Sequence, residues 1–236
     1  MVDIPAVQLQ NVSKFYGKNA ALKSIDLNIQ PGKIVAVFGH NGAGKSTLLR
    51  IISMALNPDI GDLQIMGADS TKYKSWCRSQ IGYVGHINYL YPDLSPSENL
   101  MFFAQLYGVP DYKVRVFNLL EDLELTSKTN QPLRNLSNGE QKRTSIGRAL
   151  VHRPSILLMD EPDAGLDIRA QELMRSFIKE ISANGGTVLF SSHEPNSSLD
   201  FASEFLFLRK GNLITHSTNV VSSKNELFSL LNKAGS

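Results

Sequence analysis

A short apolar run joined directly to a glycine-rich segment constrains the fold of this 236-residue chain more than any other feature. The run IVAVF, residues 34 to 38, has the length and composition of a fully buried strand. It is followed at once by GHNGAGKST, residues 39 to 47. Lys45 to Leu56 then carries apolar residues at the spacing of one helix face. The sequence therefore predicts a strand, a tight glycine loop and a helix in direct succession.

The glycine loop fits the pattern G-x-x-x-x-G-K-[ST], which is typical of phosphate binding. In that pattern the glycines let consecutive backbone amides point into one concavity, and the helix adds its positive N-terminal end. The lysine can reach the β- and γ-phosphates, and the hydroxyl can ligate Mg²⁺. A plain turn with a surface lysine is the alternative. We predict a nucleoside triphosphate site formed by Gly39, Asn41, Gly42, Ala43, Gly44, Lys45, Ser46 and Thr47.

An acidic pair follows a second apolar run in the segment SILLMDEPDAGLD. Asp160 and Glu161 stand where a buried strand would end, and a carboxylate there is costly unless it faces an ion or a partner. A magnesium ion beside Asp160 would remove that cost. Glu161 could then orient or deprotonate an attacking water. The alternative is that both acids simply begin a turn before Pro162.

A third segment resembles a family signature. LSNGEQKRTSIGRAL, residues 136 to 150, is similar to the LSGGQ motif of ATP-binding-cassette (ABC) ATPases, with Asn138 and Glu140 in place of a glycine and a glutamine. Taken alone, this segment could be a helix N-cap. Its position before the acidic pair, and the later LFSSH ending in His193, strengthen the resemblance.

The ABC resemblance implies roles for residues outside the glycine loop. Tyr16 would stack on adenine, and His193 would touch the γ-phosphate. Asp167, at the end of GLD, would contact a partner subunit. Ser137 and Gly139 would reach ATP bound by a second ABC domain, arranged head to tail in a twofold dimer.

His86 departs from the family pattern, which usually has a glutamine that helps to hold Mg²⁺. A histidine can donate or accept a hydrogen bond at similar reach. His86 and the run SPSENLMFFAQLYG are similar to the ATPases of haem exporters used in cytochrome c maturation. The catalytic residues implied are Lys45, His86, Glu161 and His193, and the metal ligands implied are Ser46, His86 and Asp160.

The order of the apolar patterns predicts an α/β fold with a mostly parallel sheet covered on both faces. Helical patterns occupy residues 96–125, divided at Pro110, and residues 138–152. We predict a P-loop NTPase (RecA-like) core with an N-terminal antiparallel β part and an inserted α-helical lobe. The predicted single domain covers residues 1–236, with residues 1–86 and 154–236 as the core and residues 87–153 as the lobe.

Composition limits the partners and the cellular compartment expected for the chain. Its 24 basic and 22 acidic residues leave a net charge of +2, which gives no electrostatic case for nucleic acid. The single cysteine, Cys77, excludes an internal disulfide and fits a reducing compartment. No apolar run approaches the length of about 20 residues that a membrane helix needs. We expect a cytoplasmic chain, bound to the cytoplasmic face of the cell membrane through a permease.

The function expected from these features is ATP hydrolysis that powers export through a separate membrane permease. The short tail after the strand-like stretch 212–216 favours export, because importer ATPases often carry a further regulatory domain. A soluble ABC ATPase of iron–sulfur cluster assembly is the alternative. A degenerate, non-hydrolysing nucleotide sensor is disfavoured by the presence of Lys45, Asp160, Glu161 and His193.

Overall fold

The computed structural model describes residues 4–85, 87–163, 168–192 and 201–217. Its regular elements alternate between strands and helices over most of the chain. In chain order they are β1 Val7–Tyr16, β2 Asn19–Ile29, β3 Ile34–Phe38, α1 Lys45–Ile52, β4 Ile60–Ile65, β5 Ala68–Asp69, α2 Lys74–Ser79, β6 Ile81–Val84, α3 Pro96–Leu106, α4 Tyr112–Asp122, α5 Asn138–Leu150, β7 Ile156–Met159, α6 Ile168–Ala183, β8 Thr187–Ser191, β9 Glu204–Arg209 and β10 Asn212–Ser217.

The strands form two sheets of different character. The larger sheet has the order β10-β9-β3-β8-β7-β6, and its strands are parallel except for the edge strand β10. The smaller sheet has the order β2-β1-β4-β5 and is antiparallel. The predicted α/β class, with a mostly parallel sheet and an antiparallel N-terminal part, is confirmed.

The central strand β3 is buried on both faces, as its unbroken apolar run predicts. Ile34, Ala36 and Phe38 face a core that includes residues of α3, α4, α5 and α6. Val35 and Val37 face a second core, which α1 and the smaller sheet complete. The large sheet is therefore the shared wall of two hydrophobic cores.

Helices α3, α4 and α5 lie between β6 and β7 in the chain. The first and last of them begin with capping boxes, in which a serine and a glutamate exchange hydrogen bonds with each other's backbone amides. The pairs are Ser95 with Glu98 and Ser137 with Glu140. The helices predicted for residues 96–125 and 138–152 are present, and the first stretch is interrupted around Pro110 as expected.

The helix after the glycine loop is shorter than the sequence predicts. It ends at Ile52 rather than Leu56, because Met54 adopts a left-handed backbone with φ of 59°. The amides of Ala55 and Leu56 then turn back to the carbonyl of Arg50, at 3.0 and 3.1 Å. Within the described ranges, no helix combines the length and the apolar character needed to cross a bilayer.

Candidate functional site

The predicted site lies at the edge of the large sheet where its parallel strands end. The glycine loop follows β3, Asp160 follows β7, and Ser191 is the last residue of β8. These three strands are neighbours in the order β3-β8-β7, and carboxyl ends of parallel strands meet at one edge. Loops separated by more than 100 residues in the sequence are thereby brought side by side.

Two glycines of the loop occupy positions that no other residue fits. Gly39 has φ of 155°, and a Cβ there would come within 2.5 Å of the Leu208 carbonyl oxygen. Gly44 has φ of 110°, and a Cβ there would lie 2.6 Å from the Ala21 carbonyl oxygen. The loop backbone is therefore pressed against β9 and β2, which fixes its course.

The N-terminus of α1 carries no side-chain cap. Its N-cap residue is Gly44, and the first turn contains no acidic residue, unlike the capped starts of α3 and α5. The first amides of a helix have no partner within the helix, and the helix dipole makes this end positive. An uncapped helix start beneath a glycine loop is suited to a phosphate group.

The side chain of Lys45, the first residue of α1, hydrogen-bonds back to the glycine loop. Its side chain is 5% exposed, and Nζ donates to the carbonyl oxygens of Gly39 at 2.7 Å and His40 at 3.4 Å. Burial lowers the pKa of the Lys45 ammonium, and the nearby Glu161 and Asp160 carboxylates oppose that shift. The loop thus holds a largely desolvated cation between its backbone and the acidic pair.

The acidic pair is organised by a serine on the adjacent strand. Ser191 Oγ donates to Asp160 Oδ1 at 2.7 Å and accepts the backbone N–H of Glu161 at 2.8 Å. Asp160 is 1% exposed, and its own N–H donates to the Val84 carbonyl at 2.8 Å. Glu161 has φ of 49°, a left-handed backbone that is uncommon outside glycine and that clusters at functional sites.

Two polar contacts in and near the site were not predicted from the sequence. Ser191 is a hydroxyl at the end of the otherwise apolar strand TVLFS, and that contrast is a signal for its role. Lys142 lies in the signature-like segment, is 9% exposed, and donates from Nζ to the Gly85 carbonyl at 3.3 Å. A buried lysine paired with a carbonyl 57 residues away has no sequence signal.

Tyr16 ends β1 at the tip of the β1–β2 hairpin, with 50% of its surface exposed. The strand before it is held by Asp59, whose carboxylate accepts from the Phe15 N–H at 2.7 Å and from Lys14 Nζ at 2.8 Å. These bonds hold the pKa of Asp59 below its usual range. The tyrosine is therefore presented to solvent on an anchored hairpin.

Ser137 is the N-cap of α5, and Gly139 lies in the first turn of that helix. Ser137 exchanges its bonds with Glu140 of the same helix, at 2.8 and 3.3 Å. A Cβ at Gly139 would meet nothing within 4 Å, so this side of the helix start is open. His86, Asp167 and His193 lie outside the described residues.

The residues present fit a magnesium ion that is shared with a nucleotide rather than caged by protein. Ser46 follows Lys45 in the first turn of α1, and Asp160 directly follows β7. Among the described residues there is no group of three or more His, Cys, Asp or Glu side chains that could hold a metal. Mg²⁺ commonly uses one or two protein oxygens and completes its shell with phosphates and water.

The sequence around the site is similar to that of known proteins. A family model described as ABC transporter matches residues 22–164. The Nod factor export ATP-binding protein I of Cupriavidus metallidurans is 35% identical over 189 residues, covering 79% of this chain and 62% of the relative. The sulfate/thiosulfate import ATP-binding protein CysA of Thermosynechococcus vestitus is 34% identical over 208 residues, covering 87% of this chain and 62% of the relative. The chain therefore spans about three fifths of the length of these relatives.

The fold agrees with that match. A dimeric ATP-binding cassette, solved in a post-hydrolysis state with ADP and Pi, aligns with a TM-score of 0.81 at 30% identity, covering 89% of this chain and 97% of that chain. The matched residues 22–164 contain the glycine loop, the signature-like segment and the acidic pair. This chain belongs to the ABC transporter family as an ATP-binding domain.

Proposed function

We propose that this chain is the ATP-hydrolysing subunit of an ABC transporter and drives a separate membrane permease. The observation that carries the proposal is the juxtaposition of a buried lysine, an uncapped helix start and an acidic pair at one sheet edge. A phosphate group, a metal ion and a water can be held together there. Hydrolysis of a nucleoside triphosphate needs that combination.

In the proposed site, residues 39–47 cradle the phosphates and Tyr16 stacks on the adenine ring. Lys45 exchanges its carbonyl partners for phosphate oxygens, which its desolvated ammonium would bind strongly. Ser46, Asp160 and His86 would hold Mg²⁺, which would supply positive charge to offset the charge on the phosphates. Glu161 orients the attacking water and accepts its proton, and His193 contacts the γ-phosphate.

The proposed working unit is a head-to-tail pair of domains. Ser137 and Gly139 start α5 on an open surface, so they are available to a nucleotide held by a second copy. The dimeric state of the solved cassette supports this arrangement. We take residues 1–86 and 154–236 as the nucleotide-binding core and residues 87–153 as the lobe that carries the signature to the partner.

A membrane permease is the proposed partner on the lobe. Exposed apolar side chains follow β6 and continue onto α3, with exposed fractions between 41% and 69%. A surface of this kind commonly marks a protein interface. These side chains are Ile87, Tyr89, Tyr91, Phe102 and Leu106. The chain would work on the cytoplasmic face of the membrane, held there by this partner.

Export of a small molecule is our proposal for the direction, with haem as one candidate cargo. The support is the similarity of residues 86 and 95–108 to haem-exporter ATPases. Relatives named for export and for import match at 35% and 34% identity, so identity does not discriminate between the directions. Iron–sulfur cluster assembly is disfavoured, because the family model and these two relatives are named for transport.

Affinity capture from detergent-solubilised cells tests the proposal. We expect the Glu161→Gln variant with ATP to co-purify a polytopic membrane protein, identified by mass spectrometry, because a non-hydrolysed nucleotide favours the closed complex. Lys45→Ala, captured in parallel, controls for contacts that do not depend on nucleotide. Recovery of soluble assembly factors alone would contradict the transport function and leave the ATPase assignment standing.

Ser191→Ala tests the organisation of the acidic pair. The change removes a donor to Asp160 and an acceptor for the Glu161 amide, so we expect ATP turnover to fall about 10-fold. The free energy of unfolding should fall by about 1–3 kcal/mol. Ser182→Ala, which removes the Oγ donor to the Gly32 carbonyl at 2.9 Å, is the matched control and should keep normal turnover. Steady-state phosphate release and urea denaturation measure both effects; normal turnover of Ser191→Ala would contradict the role given to the hydroxyl.

A further inference from the structure

One face of α5 is bound along its length to the backbone of β6 and the residues just after it. The polar side chains on this face are spaced three or four residues apart, which is the spacing of one helix face. Each reaches a main-chain carbonyl oxygen. The pairs are Lys142 with Gly85 at 3.3 Å, Ser145 with Asn88 at 3.3 Å, Arg148 with Tyr83, and His152, just past the helix end, with Ile81 at 3.1 Å.

Carbonyl acceptors make this attachment independent of the side chains of β6. The His152 imidazole is buried, and burial lowers its pKa to about 4, so the ring is neutral at pH 7 and can donate from Nε2. The row therefore fixes the helix to the strand as one unit. Any displacement of α5 would move the end of β6 with it.

Lys142 is a member of this row whose charge interacts with the acidic pair. Burial lowers the pKa of its ammonium, and the carboxylates of Asp160, Asp163 and Glu161 oppose that shift, in that order. Strands β6 and β7 are neighbours, and the Asp160 N–H donates to the carbonyl of Val84, the residue before Gly85. Lys142 thus joins the first turns of α5 to the end of β6, and the Asp160 N–H joins that end to the residue that follows β7.

We propose that Lys142 is a positioning residue for ATP hydrolysis. Its hydrogen bond to the Gly85 carbonyl holds the first turns of α5 against the end of β6, where the Val84 carbonyl accepts from the N–H of Asp160 in the acidic pair. The inference rests on the proposed function, in which Ser137 at the start of the same helix meets the partner's nucleotide. Lys142 would therefore tie the residues that act on the partner's ATP to the acids that act on the chain's own.

The chemistry of the bond defines two informative variants. Lys142→Met keeps an unbranched apolar stem as far as Cε but removes the charge and the donor. Lys142→Gln removes the charge but keeps an N–H donor. The side-chain amide of glutamine can donate to the Gly85 carbonyl, which is a neutral acceptor. A displaced acidic pair would impair the chemical step more than nucleotide binding.

Steady-state ATP hydrolysis by the full chain is the test, with kcat and KM determined separately. We expect Lys142→Met to lower kcat by about 10²-fold and to leave KM within about threefold. Lys142→Gln should retain at least about one third of the wild-type kcat. Thermal midpoints should stay within about 3 °C, because a methionine in place of a buried lysine keeps the packed stem. Lys113→Met, on the exposed face of α4, is the control for loss of a lysine.

Wild-type kcat in Lys142→Met would overturn the inference. A kcat for Lys142→Gln as low as that of Lys142→Met would also overturn it, because the hydrogen bond would then not be what positions the acids. A large fall in thermal midpoint with kcat and KM changed together would show a purely structural role. Failure of the proposed function is distinguishable, since the wild-type chain would then show no hydrolysis that depends on Lys45.

Discussion

Replacement of Glu161 by glutamine is expected to lower ATP turnover by about 10³-fold and to leave ATP binding intact. Glutamine has nearly the same shape, but its amide cannot take a proton from the attacking water. The Glu161 backbone amide would keep its bond to Ser191, so the local structure should persist. The loss corresponds to about 4 kcal/mol of transition-state stabilisation. Phosphate release measures turnover, and calorimetric titration with ATP measures binding.

The same variant should trap the head-to-tail dimer when ATP is present. The γ-phosphate then remains in place, and its contacts with both copies favour the closed state. Size-exclusion chromatography with ATP and with ADP would show the difference. Glu172→Gln, an exposed acid on α6, is the matched control and should hydrolyse ATP normally. Near-normal turnover in Glu161→Gln would remove Glu161 as the general base.

Lys45→Ala should have the other large effect, abolishing detectable ATP binding and ATP-driven dimerisation together. The ammonium is the buried cation of the loop, and an alanine removes that charge from the phosphate site. Because burial lowers its pKa, the affinity of the wild-type chain for ATP should weaken as pH rises through that lowered value. Calorimetric titration of both chains across alkaline pH measures the two effects.

Lys74→Ala, which changes an exposed lysine at the start of α2, is the control for Lys45→Ala. It should bind ATP as the wild-type chain does. Tight ATP binding by Lys45→Ala would contradict the assignment of the whole glycine loop, and not only that of the lysine.

The parts of the site that depend on local sequence could be predicted. Strand β3, the loop and the start of α1 form one continuous segment. Their pattern can therefore be recognised without the rest of the chain. The acidic pair was predictable because a carboxylate at a buried strand end needs a partner. The end of α1 was not, because Met54 takes a left-handed backbone that its residue type does not signal.

The supporting contacts could not be predicted, because each joins residues far apart in the sequence. Ser191 and Asp160 are 31 residues apart, Phe15 and Asp59 are 44 apart, and Lys142 and Gly85 are 57 apart. Only the order of strands in the sheet brings such pairs together. The roles of His86, Asp167 and His193 stay predictions drawn from the family resemblance.

The shared wall formed by the large sheet bears on how the chain unfolds. Alternate residues of β3 belong to different cores, and the core on one side continues without a break into α3, α4 and α5. The three helices are therefore not an independent folding unit, although they lie between two strands in the chain. Loss of either core would expose one side of the same strands, so the cassette should melt in one cooperative transition rather than lobe by lobe.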